Sequence, residues 1–284
     1  MSAANDPWSR DWPAPAKINL FLHVVGRRAD GYHQLQTAFR FLDFGDTLRF
    51  SPRQDGAVRL LTPLAGVPAA EHLCLRAAQV LQQAAAGVHG VDIALEKRLP
   101  LGGGLGGGSS DAATTLIALN RLWRLGLSRA QLQRLGLTLG ADVPVFIHGR
   151  ACFAEGVGEL FTDVQLPAAW YLVLLPPVAV PTATVFAQPE LRRDAPRIAP
   201  AQWRPAGDER NDLEPVACRL FPEVARHLEL LRPYGSARMS GSGACVFIDF
   251  ATREEATAAL AAMPAEVRGL VARGLDRHPL LELT

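Results

Sequence analysis

Between positions 100 and 111 the chain reads Pro100-Leu101-Gly102-Gly103-Gly104-Leu105-Gly106-Gly107-Gly108-Ser109-Ser110-Asp111, with six glycines in seven consecutive positions. Glycine loses more backbone freedom on folding than any other residue, so this run is costly unless something large must approach the main chain. An apolar stretch with helical spacing follows at once. A loop that runs into a helix turns free N–H groups and the positive end of the helix dipole towards an anion. The run is therefore read as a phosphate-binding loop, with Ser109 or Ser110 placing a hydroxyl near the phosphates or a magnesium ion. On this reading a Cβ at Gly106 or Gly107 would crowd the ligand or block a required φ. The P-loop lysine is absent. The dinucleotide pattern Gly102-x-Gly104-x-x-Gly107 lacks its acidic residue about twenty positions on, where Asn120-Arg121-Leu122 stands instead. A flexible linker would not continue through Leu101 and Leu105 into a helix. A second glycine site, Ser240-Gly241-Ser242-Gly243-Ala244-Cys245, precedes a predicted strand. It is either a tight turn or a loop brought to the same phosphates. Convergence of the two would put the site between domains.

Phosphoryl transfer to a hydroxyl needs positioning, charge neutralisation and often a carboxylate to receive the proton. Asp142 is the candidate, because it stands almost alone in Leu137-Thr138-Leu139-Gly140-Ala141-Asp142-Val143-Pro144-Val145-Phe146. A buried carboxylate requires a cation or hydrogen-bond donors. Local N–H groups at a turn are one source. Lys17, opening a strand in Pro15-Ala16-Lys17-Ile18-Asn19-Leu20, is the other, unless it is a surface residue. Tyr32 and His33 follow a turn at Gly31. They either pack against a flat heterocycle or are ordinary strand-edge residues. His23 alternates with core positions and reads as structural. His148, His227 and His278 have no metal-ligand spacing, so zinc or iron lacks support.

These residues need a folded frame, and the 284-residue chain has the composition for one: 49% hydrophobic and 20% charged. Its 29 basic and 28 acidic residues give no electrostatic reason to expect nucleic acid or an anionic membrane as partner. The four cysteines form no C-x-x-C pair, which speaks against a disulfide scaffold or structural zinc and for buried thiols in a reducing compartment. No secretion signal is visible, and the apolar run 170–180 is broken by Pro176 and Pro177, so a cytoplasmic protein is expected.

Alternation predicts strands over 17–25 and 91–96. Further strands are predicted over 170–175, as a buried apolar run, over 244–250 and over 267–272, and one or two strands over 34–50 around Asp43-Phe44-Gly45-Asp46. Helices are predicted over 73–86, with inner stripe Leu73, Ala77, Val80, Leu81 and Ala84 and a stop at Gly87. Ala112, Leu116, Leu119 and Trp123 mark one face of the next helix, with Ser109, Ser110 and Asp111 at cap and first-turn positions. Further helices are predicted from a cap at Ser128 to about 139, over 222–231 and over 253–262, with 187–210 irregular. The expected fold class is α+β in two domains, 1–160 and 161–284.

Three segments together resemble the galactokinase, homoserine kinase, mevalonate kinase and phosphomevalonate kinase superfamily. They are Pro15 to Leu20, Leu99 to Ala113 and Gly241 to Cys245. Arg28-Ala29-Asp30-Gly31-Tyr32-His33 and Leu137 to Phe146 resemble the branch of it that phosphorylates a diphosphocytidyl methylerythritol. The resemblance implies a two-domain α+β fold with ATP, Mg2+ and substrate in the interdomain cleft. It implies transfer of the γ-phosphoryl to the tertiary 2-hydroxyl, giving ADP and the 2-phosphate, in the non-mevalonate route to isoprenoid precursors. It also implies roles. Asp142 is the base and Lys17 its charged neighbour. Asn19 holds the acceptor, and Tyr32, His33 and Phe186 surround the cytosine, with Thr182 on the substrate side. Lys97 lies near the nucleotide base. Pro100, Leu101, Gly102, Gly103, Gly104, Leu105, Gly106, Gly107, Gly108, Ser109 and Ser110 cradle the phosphates, and Gly241, Ser242 and Gly243 close over the reacting groups. His72 departs from the pattern, standing where an asparagine is usual near the adenine. The rival readings are a non-catalytic nucleotide-binding protein and a sibling kinase for another small alcohol. Gly31-Tyr32-His33 speaks against a mevalonate or homoserine acceptor, which carries no heterocycle. The sequence sets no oligomeric state.

Overall fold

A computed structural model of the chain describes residues 6–85, 89–205 and 210–283. Its frame is a long antiparallel hairpin of strands β1 (Trp12–Arg27) and β2 (His33–Arg53), closed by the turn at 28–31. β1 has a ladder partner on one side only, β2, so Pro13 and Pro15 forfeit no ladder bond and the strand starts earlier than alternation suggested. β2 is one strand, and Asp43-Phe44-Gly45-Asp46 stays within it. Gly45 pairs with Pro15, and a Cβ there would lie 2.2 Å from the Ala14 carbonyl oxygen. Glycine at this point lets two strands close up and makes no turn.

Next come β3 (Val58–Leu60), α1 (Leu73–Ala84), β4 (Gly90–Glu96), α2 (Gly107–Leu122), α3 (Arg129–Leu137), α4 (Val143–His148), β5 (Cys152–Gly156) and β6 (Leu160–Asp163). The remainder comprises β7 (Trp170–Leu174), α5 (Thr182–Phe186), α6 (Glu214–Leu220), α7 (Pro222–Leu231), β8 (Arg238–Met239), β9 (Val246–Phe250), α8 (Arg253–Ala261) and β10 (Gly269–Leu275). The sheet runs β3-β4-β2-β10-β7-β9-β8, with β1 and β5 also on β2 and β6 on β5. β10 pairs with β7 and, through Gly274 and Leu275, with β2, so one sheet spans both halves of the chain.

Some local expectations change. The buried stripe of α1 is Cys74, Leu75, Ala77, Ala78 and Leu81, while Ala84 is exposed. The stop at Gly87 lies outside the described residues. α3 starts with a capping box between Ser128 and Gln131, as its sequence predicts. α2 is buried almost all round, so the four apolar residues do not define a single inner face. α4 is too short for a periodic signal, and α5, α6, β5 and β6 were also not anticipated. All four cysteines are free, and three of them are buried.

Three hydrophobic clusters fill the molecule. One lies under α1 to α4, one among β7, β9 and α5 to α8, and one forms the seam between them with Ile18, Phe21, Phe153, Tyr171 and Phe247. β1 enters all three through Ala14, Ile18 and Val24. Side chains such as Phe21, Phe39 and Phe41 are at most 2% exposed, and each stabilises by roughly 1.5–3 kcal/mol on burial. The strand that carries Lys17 and Asn19 is thus held along its whole length. His23 packs edge-on against Phe21 at 5.0 Å between ring centroids, as a structural histidine should. No helix among the described residues is long and apolar enough to cross a membrane.

Candidate active site

Register shifts between Pro15 and Lys17 and between Asn19 and Phe21 flank a three-residue stretch of β1. Such bulges re-aim side chains, and residues two apart share a face. Lys17 is 2% exposed. Its Nζ lies 3.1 Å from Asp142 Oδ2 and donates to Asn19 Oδ1 at 2.6 Å. Asn19 Nδ2 in turn donates to Thr37 Oγ1 at 2.9 Å. Asp142, just before α4, differs from expectation: its side chain is 39% exposed. The ammonium is the buried member of the pair, and the carboxylate reaches the open cleft.

The glycine run enters α2 with Gly106 as a left-handed N-cap, φ 70° and ψ 19°. Ser109, Ser110 and Asp111 lie inside the first turns of α2, and no side chain caps it. The first N–H groups of the helix therefore have no side-chain acceptor at their end. Ser110 is fully buried and its Oγ donates to the Pro15 carbonyl at 2.7 Å, so of the two serines only Ser109 lines the cleft. Leu105 is buried too, and its carbonyl accepts from the Lys17 main-chain N–H at 2.9 Å.

The second glycine segment meets the first directly. The Cys245 N–H donates to the Gly103 carbonyl at 3.0 Å, and Ser240 Oγ donates to the Gly104 carbonyl at 2.9 Å. Ser240 Oγ also accepts from the Asn19 N–H at 3.2 Å. Asn211 Nδ2 holds the segment from behind, donating to the carbonyls of Met239 and Gly241 at 2.8 and 2.7 Å. Ser242 and Thr182 share a hydrogen bond of 2.7 Å on the opposite wall of the cleft from the first glycine run. Asn211 and Thr37 escaped the sequence reading, which held Ser240 only as part of the second glycine segment. Asn211-Asp212 between an irregular stretch and a helix was the available signal for Asn211.

The positive φ expected at Gly106 is present, and close packing against protein gives the glycines a further reason. A Cβ on Gly104 would lie 2.1 Å from the Ser240 carbonyl oxygen, and one on Gly106 2.9 Å from the Phe146 ring. A Cβ on Gly107 would meet Lys97 Nζ at 3.0 Å and Leu99 Cβ at 3.1 Å. The space these glycines leave is filled by protein. Gly107→Val should accordingly lower the melting temperature as well as ATP affinity, by an overpacking cost of about 1–3 kcal/mol. Unchanged thermal unfolding with weakened ATP binding would return Gly107 to a ligand-clearance role.

Lys97, expected near the nucleotide base, has its ammonium taken up by two carboxylates. Its ammonium is 2.6 Å from Asp46 Oδ2 and 2.7 Å from Asp111 Oδ2, with the side chain 12% exposed. Asp46 Oδ1 accepts the N–H groups of Arg98 and Leu99. Burial pushes the Asp111 carboxyl up to about 7, with Lys97 drawing it the other way. The cluster ties β2, the end of β4 and the start of α2 together beneath the glycine loop. His72 caps α1, its Nδ1 accepting from the Cys74 N–H at 3.3 Å.

A cavity of about 460 Å³ lies over Lys17, Asn19 and Asp142. Pro100, Leu101, Gly102, Gly103, Gly104, Gly106, Gly107, Gly108 and Ser109 line one side, and Thr182, Phe186, Gly241, Ser242 and Gly243 another. Lys97, Leu105 and Ser110 do not line it. A second cavity of about 660 Å³ adjoins it and is lined by Arg27, Tyr32, His33 and Phe186. Leu35, Ala141, Val157, Thr182 and Phe186 belong to both. His33 and Phe186 already stack, 4.7 Å apart at 27°, while Tyr32 is 63% exposed at the rim. Among the described residues no group of three or more His, Cys, Asp or Glu could hold a metal ion.

The fold and the paired glycine loops are those of a GHMP kinase. The family model for the GHMP kinase N-terminal domain matches residues 72–150, and that for the C-terminal domain matches 192–269. A mevalonate kinase crystal structure shares the fold with a TM-score of 0.68 at 16% identity, covering 95% of this chain and all of that one. Much nearer is a 4-diphosphocytidyl-2-C-methyl-D-erythritol kinase of Dechloromonas aromatica (strain RCB), 60% identical over 96% of this chain and 100% of the relative. The enzyme of that name from Thiobacillus denitrificans (strain ATCC 25259 / T1) is 57% identical over 96% and 98%. A crystal structure of 4-(cytidine 5'-diphospho)-2C-methyl-D-erythritol kinase superposes with a TM-score of 0.80 at 37% identity, over 93% of this chain and 99% of that chain. The chain belongs to the 4-diphosphocytidyl-2-C-methyl-D-erythritol kinase family.

Proposed function

We propose that this chain transfers the γ-phosphoryl of ATP to the 2-hydroxyl of 4-diphosphocytidyl-2-C-methyl-D-erythritol, releasing ADP and the 2-phosphate. The observation that carries the reading is the Lys17–Asp142 pair, 3.1 Å apart at the floor of a cavity walled by both glycine segments. The adjoining cavity, with its stacked His33 and Phe186, suits the cytosine.

The first turn of α2 and the loop before it offer main-chain N–H groups to the phosphates. This cradle fits a nucleotide triphosphate. Magnesium would arrive with the phosphates, with the Ser109 hydroxyl of the loop available to help hold it, and would supply neutralisation of phosphate charge. The acceptor hydroxyl gives its proton to Asp142 as its oxygen attacks phosphorus. Lys17 keeps that carboxylate ionised, because an adjacent cation favours the charged form. Asn19, anchored by Thr37, holds Lys17 Nζ in line between two oxygens. The reaction is transfer of a phosphoryl group between two oxygens, so the site needs alignment and charge more than covalent participation.

A coupled ADP assay with the diphosphocytidyl acceptor, mevalonate and homoserine tests the assignment. Turnover is expected with the first acceptor alone and with magnesium present. ATP binding without turnover on any acceptor would favour a non-catalytic nucleotide-binding protein. His33→Ala should reduce kcat/KM for the cytidine acceptor about ten- to a hundredfold, the loss expected for base contacts of roughly 1–3 kcal/mol. Acceptor-independent ATP hydrolysis should change far less. Equal losses in both reactions would mark His33 as structural.

A further inference from the structure

Arg193 lies in the irregular stretch after α5 and took no part in the reading so far. Its guanidinium carries five N–H donors, and five acceptors meet them. Nε donates to His33 Nε2 at 3.1 Å. Nη1 donates to the carbonyls of Pro189 and Leu191 at 3.3 and 2.9 Å. Nη2 donates to those of Phe186 and Gln188 at 3.0 and 2.7 Å. One side chain thus binds the turn after α5 and, through it, the residue whose ring stacks on His33.

The contact with His33 has a chemical consequence. A guanidinium only donates, so His33 Nε2 must be the bare, accepting nitrogen of the ring. A neutral imidazole with a bare Nε2 carries its proton on Nδ1. A protonated ring would set two N–H groups head to head. Burial of His33, then the charges of Arg193 and Arg27, hold its pKa below the usual histidine value, in agreement with the neutral ring.

We infer that Arg193 is a positioning residue that fixes His33 as its Nδ1–H tautomer and locks the ring against Phe186, so that the substrate's base meets a hydrogen-bond donor. The inference rests on the cytidine reading of this cavity for its ligand. The complementary group is an acceptor on the heterocycle, a ring nitrogen or carbonyl oxygen, and an exocyclic amino group is not read by this ring. Arg193 sets the acceptor's affinity and leaves the ATP side, on the other face of the cleft, alone.

The test begins with the wild-type protein. Nitrogen-15 spectra of the His33 ring near neutral pH should show a protonated Nδ1 and a bare Nε2; the opposite pattern overturns the inference. Arg193→Met, which keeps bulk but no donor, should lose that single tautomer. It should raise the acceptor KM about tenfold, as expected for a misplaced base contact, while the ATP KM shifts by less than about twofold. An unchanged acceptor KM, or an equal rise for ATP, would overturn the positioning role. His33→Ala separates the two readings. If it leaves the acceptor KM unchanged while the wild-type tautomer is as stated, the cytidine assignment of the cavity fails and the Arg193–His33 geometry stands.

Discussion

Asp142→Asn should slow the chemical step by on the order of a hundredfold or more. The substitution keeps size and much of the hydrogen bonding but removes the group proposed to take the hydroxyl proton. Acceptor and ATP affinities should fall far less, because the carboxylate matters most once the proton moves. The geometry sharpens the expectation. Asp142 is half-exposed, so Asn at this position should leave the fold intact. Lys17 is different: 2% exposed, it holds Asp142 and Asn19 at once. Lys17→Met should also cut turnover strongly, and the two losses should not add, since both residues serve one transfer. Single-turnover rates with enzyme in excess over the acceptor and ATP saturating are the measurement. A chemical step in Asp142→Asn within about threefold of wild type, less than any general-base role supplies, would remove Asp142 as the base.

Lys97→Met should have the largest effect on stability. It leaves the carboxylates of Asp46 and Asp111 facing one another with side chains 0% and 3% exposed. Removing one partner of a buried ionic cluster typically costs about 3–5 kcal/mol, because charge remains without compensation. Asp46 is bound to two N–H groups at the head of the glycine loop, and Asp111 lies in α2 at its foot. The loop should therefore loosen along with the fold, and ATP affinity should fall with stability. Asp111→Asn is the informative companion. It leaves Lys97 paired with Asp46 and removes the carboxyl that burial penalises most, so its cost should be much smaller. Chemical denaturation of both variants decides. A loss below about 1 kcal/mol in Lys97→Met, the size of a surface pair, would show that the cluster is not the clasp described here.

The two lysines illustrate what a sequence carries. Lys17 stands within β1 and Lys97 just past β4, and neither has an acidic residue nearby in sequence at a spacing that names a partner; Asp46 comes opposite Lys97 only once β2 and β4 pair. Chemistry offers Lys17 as one of two possible partners for Asp142, an isolated base for an isolated acid, and the structure brings the two together. Resemblance alone places Lys97 near the nucleotide base, and the structure gives its ammonium two buried carboxylates. Asp46 gave no sign of this, since it sits in a tetrapeptide that reads as a turn and is held in β2 by the close approach of Gly45 to Pro15. Ser109 and Ser110 make the point at finer scale. Neighbours on a helix are about 100° apart, so one serine faces the cleft and the other the Pro15 carbonyl. A helix that begins in glycines offers no apolar phase from which to say which is which.

What the sequence determined by itself was local: the glycine loop running into a helix, the alternation of β4, the apolar strands β7 and β9, the cap of α3, and the presence of a lone acid and a lone base. These are properties of neighbouring residues, where backbone sterics and side-chain periodicity act directly. Tertiary structure decided the rest. It set which serine reaches the cleft, which lysine meets Asp142 in the cavity and which meets two buried carboxylates, that the loop glycines clear protein, and that Arg193 donates to His33. Those outcomes depend on contacts between residues far apart in the chain. They are selected by burial, where an unpaired charge or an unsatisfied donor costs more than any local preference can offset.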